Sequence, residues 1–381
     1  VITSILSSIF LVKKILPKNL IWVSTPIIFL LNTYSLMLVG GGQILLALAY
    51  AIMPFAIYAF IRLMNQSRNN LINVSITGSF LAFQIVLDLR MAFITFFGGF
   101  IYYLVVNFVD FKLGLFIKRS IVLLGVVIFT ALLQAYWILP TLLYGLDPIK
   151  GLGIDYSRIG IVNFLSFARL ENSISLLHPY WPENIFGKVY FMKPEFLVLP
   201  ILAFVSLLFL KKEEKKTKTI ILFFATFSSV GVFLAKGSSE PFGNIYVWLF
   251  SHVPGFQLFR DSFKWYISIS LSYSILITYS LNKISDVLKN RFNINHSKVL
   301  VFTFFLIYFS FLLRPAVFQN LNGTFVRRNV PKEYISLNNY LSNQEGFYRT
   351  LWIPNTQLFG YFSNANPTIS GRDFFREYDQ N

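Results

Sequence analysis

The chain contains no cysteine. No disulfide can brace its loops, and neither thiolate catalysis nor a cysteine-built metal site is open to it. Histidine is nearly as scarce. His178, His252 and His296 are the three present, too scattered to suggest the spaced ligands of a zinc site. Charge is thin as well: Asp, Glu, Lys and Arg make up 13% of the residues, about half the roughly 25% of an ordinary soluble domain. Soluble-enzyme signatures are missing too. No phosphate-cradling glycine loop follows a strand pattern, Gly40-Gly41-Gly42 reads as a plain turn, and no nucleophile elbow or histidine pair occurs. The apolar runs carry no chain of Asp, Glu and His, which counts against a proton-coupled pump. Pro26, Pro54 and Pro140 lie in or at the ends of such runs, so a transport path through broken helices stays open.

What is abundant is apolar surface. Hydrophobic residues make up 55% of the 381 and aromatics 18%, with a mean hydropathy of +0.60. One soluble core cannot hide that much Phe, Leu and Ile. A bilayer can. Apolar runs fall at 1–12, 20–31, 43–61, 72–87, 91–109, 120–140, 194–210, 219–235, 265–281 and 298–313. They are continuously apolar rather than alternating, which predicts helices and not the strands of a barrel. The expected fold is an all-α polytopic membrane protein of about ten transmembrane helices over 1–313. Residues 314–381 then begin a soluble outer domain, with a helix-like Pro331–Leu341 and a strand-like Phe347–Ile353. Val1 falls inside a run shorter than a span needs and no Met precedes it, so the chain is expected to be a fragment whose N-terminal span is cut.

Lys and Arg exceed Asp and Glu by 33 to 17, a net charge of +16. Nucleic acid is one partner such a balance suggests, but the placement of the charges argues for membrane topology instead. About half of the basic residues sit in five short alternate loops, at 13–19, 62–71, 110–119, 211–218 and 282–298. The rest are spread over loops about three times as long. By the positive-inside rule the dense loops face the cytoplasm. Loops 144–193 and 236–264 and the tail then lie outside. Ile159–Leu177 reads as a helix lying in the interface. The Lys211–Lys218 run reads as a solvated cytoplasmic turn.

Three outer segments carry chemistry. Asp88-Leu89-Arg90 stands between two spans in a turn of almost no length. Asp88 there is a candidate catalytic base or metal holder, and Arg90 a candidate phosphate ligand. The plain alternative is a neutralising pair that caps two helices. His178-Pro179-Tyr180-Trp181-Pro182-Glu183 joins a titratable ring, flat aromatic faces and a carboxylate on a proline-stiffened loop, so His178, Trp181 and Glu183 are candidate sugar-binding residues. Its plain reading is an interfacial aromatic belt. Pro254–Trp265 leads straight into a span. Asp261 or Ser262 can cap that helix, and its amides with Arg260 and Lys264 suit an anion such as a lipid-linked phosphate. Ordinary capping with snorkelling cations is the alternative.

Lys236-Gly237, Pro241–Tyr246, Pro254-Gly255-Phe256, Phe259-Arg260-Asp261 and Lys264 together resemble the outer loop of a bacterial and archaeal group of membrane proteins. That group is the GT-C class of glycosyltransferases, in particular its arabinofuranosyltransferase-like and YfhO-like members. Ala135–Pro140, His178-Pro179, Val330–Tyr334 and Tyr348–Leu351 fit the same pattern. The resemblance implies a multi-span enzyme of the cell membrane that takes a sugar from a polyprenyl-phosphate donor on the outer face. It passes that sugar to a glycan, lipid or protein acceptor. Under it Asp88 is the base or holder of a divalent cation. Arg90, Arg260 and Lys264 bind phosphate, while His178, Trp181, Glu183 and Asp261 line the sugar site. The class usually carries an essential Asp in its first outer loop, which here would precede residue 1. A non-enzymatic carrier or flippase of lipid-linked sugars, using the same basic outer cavity, is the alternative.

The absence of cysteine makes the topology directly testable. A single Cys placed in 211–218 should resist an impermeant thiol reagent added outside intact cells, and one placed in 144–193 should react. Outside labelling of the 211–218 position would reverse the orientation.

Overall fold

The computed structural model describes residues 1–16, 20–32, 34–35, 38, 43–65, 70–145, 159–166, 168–176, 194–314, 332–344 and 346. Every regular element among them is helical, as continuous apolar runs require where no water can satisfy a bare backbone. The order is α1 Ile2–Ile15, a 3-10 turn Leu20–Val23, α2 Ser24–Leu30, α3 Ile44–Asn65, α4 Asn70–Leu87 and α5 Leu89–Val109. Next come α6 Leu113–Leu133, α7 Ala135–Tyr144, α8 Ile159–Leu165, α9 Leu170–Ile174 and α10 Pro194–Val205, which tightens into a 3-10 turn over Ser206–Lys212. Then follow α11 Lys215–Ala235, α12 Gly243–His252, 3-10 turns at Phe256–Phe259 and Ser262–Trp265, α13 Tyr266–Phe292 and α14 Ser297–Leu312. A last helix, α15 Lys332–Ser342, belongs to a second compact unit, Gln319–Asn381, apart from the first, Val1–Phe318.

Among the described residues six helices are long and apolar enough to cross a bilayer: α3, α4, α5, α6, α10 with its 3-10 turn, and α11. The other four expected spans are helices of a different kind. α2 with its leading turn and α14 are apolar but short, and α1 has only 14 residues and ends in Lys13 and Lys14. α13 is long at 27 residues but rich in serine. The run expected at 120–140 is two helices that part at Gln134, whose backbone leaves helical geometry there. Its side chain spans the break, donating from Nε2 to the Ala82 carbonyl at 2.9 Å and accepting from Trp137 Nε1 at 2.7 Å. Ile159–Leu177 is likewise two short helices, α8 and α9. Phe347–Ile353 lies outside the described residues.

The centre of the first unit is α13. Every residue from Tyr266 to Leu281 is buried, with α2, α10, α11 and α14 packed round it. Helices α1, α3, α4, α5 and α6 pack together beside it, and α5 joins them to α11. A helix buried all round in a membrane protein needs small residues where neighbours approach. Gly231 of α11 is one such place: a Cβ added there would stand 2.0 Å from Ser268 Oγ. Hydroxyls then link the helices. Thr278 Oγ1 shares hydrogen bonds with Ser24 at 2.7 Å and Thr25 at 2.8 Å, and Ser270 with Tyr50 at 3.2 Å.

The ends of the bundle differ in polarity. At the basic end Lys215 donates to Asp110 at 2.6 Å, Lys283 pairs with Glu213, and buried Arg119 donates to Asn107 Oδ1 at 2.8 Å. At the other end Asp88 pairs with Arg90, Asp261 with Lys264, and Glu195 with Arg314. Each of these pairs joins residues of one end, as it must if the layer between is hydrocarbon.

The α11–α13 contact sets a testable stability order. Gly231→Val should destabilise the purified protein by about 1–3 kcal/mol through overpacking. Gly125→Ala, whose new methyl would meet Val74 at ordinary contact distance of 3.5 Å, should stabilise it by up to about 1 kcal/mol. Unfolding curves in one detergent decide, and equal midpoints for Gly231→Val and the parent would refute close packing there.

Candidate functional site

Two of the three segments singled out in the sequence meet at the same end of the bundle. The first is the turn between α4 and α5, where Asp88 is the only residue outside a helix. It is the N-cap of α5. Asp88 Oδ1 accepts from the Arg90 amide at 2.9 Å and the Met91 amide at 3.3 Å. The Arg90 guanidinium lies across the same carboxylate, with Nε 3.1 Å from Oδ1 and Nη2 2.6 Å from Oδ2. The Asp88 side chain is 12% exposed and that of Arg90 36%, so the cation covers the carboxylate and keeps a face to the outside.

The second is the Ser262–Trp265 turn that feeds α13. Asp261 caps it, accepting from the Phe263 amide at 3.2 Å, and its other oxygen takes the Lys264 ammonium at 2.8 Å. The positions are reversed relative to the first pair. Lys264 is 5% exposed and Asp261 30%, so here the carboxylate faces outward and covers the cation. The Phe263 amide, which could have met an external anion, already holds Asp261. Arg260 closes the preceding turn and is half-buried.

A residue that sequence reasoning missed lies between them. Tyr34 is fully buried. Its ring packs on Phe263 with centroids 5.2 Å apart, and its hydroxyl reaches Met91 Sδ at 4.0 Å. Burial pushes its phenol well above the ordinary value; Asp261 and Asp88 act in the same direction and Arg90 opposes them. Arg90 in turn feels the charge of Asp261. Phe93, one turn into α5, completes the join against Phe259 at 5.1 Å. No local pattern marked Tyr34; only its place between two apolar runs could have done so.

A second cation, part of the resembling run but given no role from sequence, lies nearby. Lys236 directly follows the last turn of α11 and is fully buried. Its Nζ donates to the Ser239 carbonyl at 2.5 Å and lies 4.8 Å from the Phe233 ring centre. Burial lowers its pKa, with Glu240 opposing. Gly237 then turns with φ +62°, which places the Ser238 amide on Ser166 Oγ at 2.9 Å. Ser262 Oγ, donating to the Ala235 carbonyl at 2.9 Å, ties this corner to the Asp261–Lys264 turn.

Beside the first pair an apolar cavity of about 290 Å³ opens among α4, α5, α6 and α7. Leu89 and Phe93 form its α5 wall and Trp137 its α7 wall. Its polar members, Gln134 and Thr130, are turned to backbone carbonyls at Ala82 and Gly78. The remaining expected sugar residues, His178, Trp181 and Glu183, lie outside the described residues. Among the described residues no three His, Asp or Glu side chains come together as metal ligands.

Compared with known proteins, the chain matches no family model, no curated protein and no solved structure.

The cap at Asp88 yields a stability test separate from any activity. Asp88→Ala removes both amide bonds and should cost about 0.5–2 kcal/mol, whereas Asp88→Asn keeps a capping oxygen and should cost less. Indistinguishable unfolding midpoints for the two variants would show that the cap does not hold α5.

Proposed function

We propose that this protein is a membrane glycosyltransferase acting at the outer end of the bundle. It moves a sugar from a polyprenyl-phosphate donor to a cell-envelope glycan, lipid or protein acceptor. The observation that carries the reading is the meeting of two carboxylate–cation pairs, Asp88–Arg90 and Asp261–Lys264, around buried Tyr34. The apolar cavity that begins at Leu89 supports it, since a lipid carrier needs apolar cover for its chain next to cations for its phosphate.

The pairs suggest how binding and chemistry are coupled. Arg90 is the exposed partner of its pair and can exchange Asp88 for a phosphate oxygen. That exchange uncovers the Asp88 carboxylate. The acceptor hydroxyl oxygen then bonds to the anomeric carbon while the bond from that carbon to the carrier phosphate breaks. The phosphate leaves with the electron pair, held by Arg90, and Asp88 takes the hydroxyl proton.

One observation favours a second reading. Asp88 already accepts from two amides and Arg90, so in this state it is committed as a cap. A carrier or flippase of lipid-linked sugars would need only the exchangeable cation and not the freed base.

The two readings part on one substitution. With a lipid-linked sugar donor and the full-length protein, Asp88→Asn should lower the transfer rate by about 10²-fold or more at unchanged unfolding temperature. Arg90→Ala should weaken donor binding by about tenfold or more. Undiminished transfer in Asp88→Asn would remove the base and with it this mechanism. Donor translocation in proteoliposomes without transfer would establish the carrier.

A further inference from the structure

The opposite end of the bundle carries a cavity of about 820 Å³ that has no part in the outer site. One wall is the 3-10 turn Ser206–Lys212 and the residue after it. The other is the last third of α13, where that helix leaves the packed interior. Lys211 and Lys212 come from the first wall, and Lys283 and Arg291 from the second; Glu213 and Asp286 are the carboxylates among the lining residues. Lys283 is paired with Glu213, which leaves Lys211, Lys212 and Arg291 facing the charge of Asp286 alone. The cavity is therefore cationic on balance.

Its polarity is graded. Leu208 is 77% exposed and Val287 43%, and both line the cavity with the cations. Leu208 sits one turn back along a chain that crosses the apolar layer, so it marks the hydrocarbon side and Lys211–Lys212 the water side. Cations at the end of a helical turn also complement its dipole, which accounts for Lys211 and Lys212 alone. It does not account for Arg291, brought to the same cavity from a helix end some 80 residues further on in the chain. A run that reads in sequence as a solvated turn is here one half of a built cleft.

We propose that this cleft holds the phosphodiester headgroup of an anionic phospholipid from the leaflet on the same face. Lys211, Lys212 and Arg291 take the phosphate, and the acyl chains lie along Leu208 and Val287. Charge complementarity selects the anion, and the apolar wall selects a lipid over a soluble phosphate. The site is independent of the outer-face reading and stands whether or not the protein transfers sugar.

The test compares phosphatidylglycerol with phosphatidylcholine bound to the purified full chain, counted by native mass spectrometry. Phosphatidylglycerol should be preferred, and K211Q/K212Q/R291Q should reduce its occupancy by about tenfold or more. K216Q/K289Q/K298Q removes the same charge outside the cavity and should keep occupancy within about twofold of the parent. Glycerol phosphate at equal concentration should not displace the lipid. Equal retention by the first variant, equal loss in both variants, or displacement by glycerol phosphate would each overturn the proposal. Should the first variant lose its fold, raising salt on the parent chain decides instead: binding indifferent to salt would also overturn it.

Discussion

In a layer without water a buried hydroxyl is costly unless it finds an acceptor inside the protein. Ser272 and Ser280 of α13 find none among the described residues, and the way the others do shapes the packing of the first unit. Ser268, Ser270 and Ser274 each donate to the carbonyl three residues earlier, at 2.7, 3.1 and 2.7 Å, and Thr278 to the one four residues earlier at 2.7 Å. Folded back in this way, a serine presents little more than a small, satisfied surface. That lets α11 come close enough at Gly231 to touch Ser268, and α2 close enough to share hydroxyl bonds with Thr278. A leucine-lined helix would hold its neighbours further away.

The outer site inherits its geometry from this packing. Because α13 is gripped on every side, the turn before it is held too, and Asp261 and Lys264 are pinned beside Ala235 and Lys236 at the end of α11. The α4–α5 turn comes to the same place through Tyr34, Phe93 and Phe259. Charge at the edge of a hydrocarbon layer is tolerable when paired, and both pairs obey that rule in opposite senses. The exposed cation of one and the exposed carboxylate of the other leave a surface of both signs above Tyr34. A phosphate therefore enters by exchange and not into a waiting vacancy.

The two ends of the bundle use charge differently. At the end that carries Asp88 and Asp261, those two carboxylates are committed to near neighbours in sequence, two or three residues away, while Glu195–Arg314 joins distant segments. At the basic end cations outnumber carboxylates, and the pairs that form, Lys215–Asp110 and Lys283–Glu213, link helices distant in the chain. Part of the surplus there lines one cleft between the Ser206–Lys212 turn and α13. The contrast follows from a simple count: with a net charge of +16, one face must hold cations that no protein carboxylate can match.

Composition and run length were enough to determine that the chain is helical and built for a bilayer, because no other solvent accepts so much apolar surface. The α4–α5 turn at Asp88 and the helix over Pro331–Leu341 were legible for local reasons, a cap residue between two apolar runs and a proline before a patterned stretch. Serine-rich α13 was also legible as a helix, but its polarity shows that it is protected by protein and not by lipid, a distinction that hydropathy along the chain cannot make. Tyr34 could not be picked out, and Lys236, though part of the resembling run, had no role assigned, since a tyrosine between two apolar runs and a lysine after a span are individually ordinary. Only the tertiary structure placed Tyr34 between Asp88 and Asp261, and Arg291 beside Lys211. Such juxtapositions depend on which helices pack together, and packing is decided by shape and hydrogen bonding between segments that the order of residues keeps far apart.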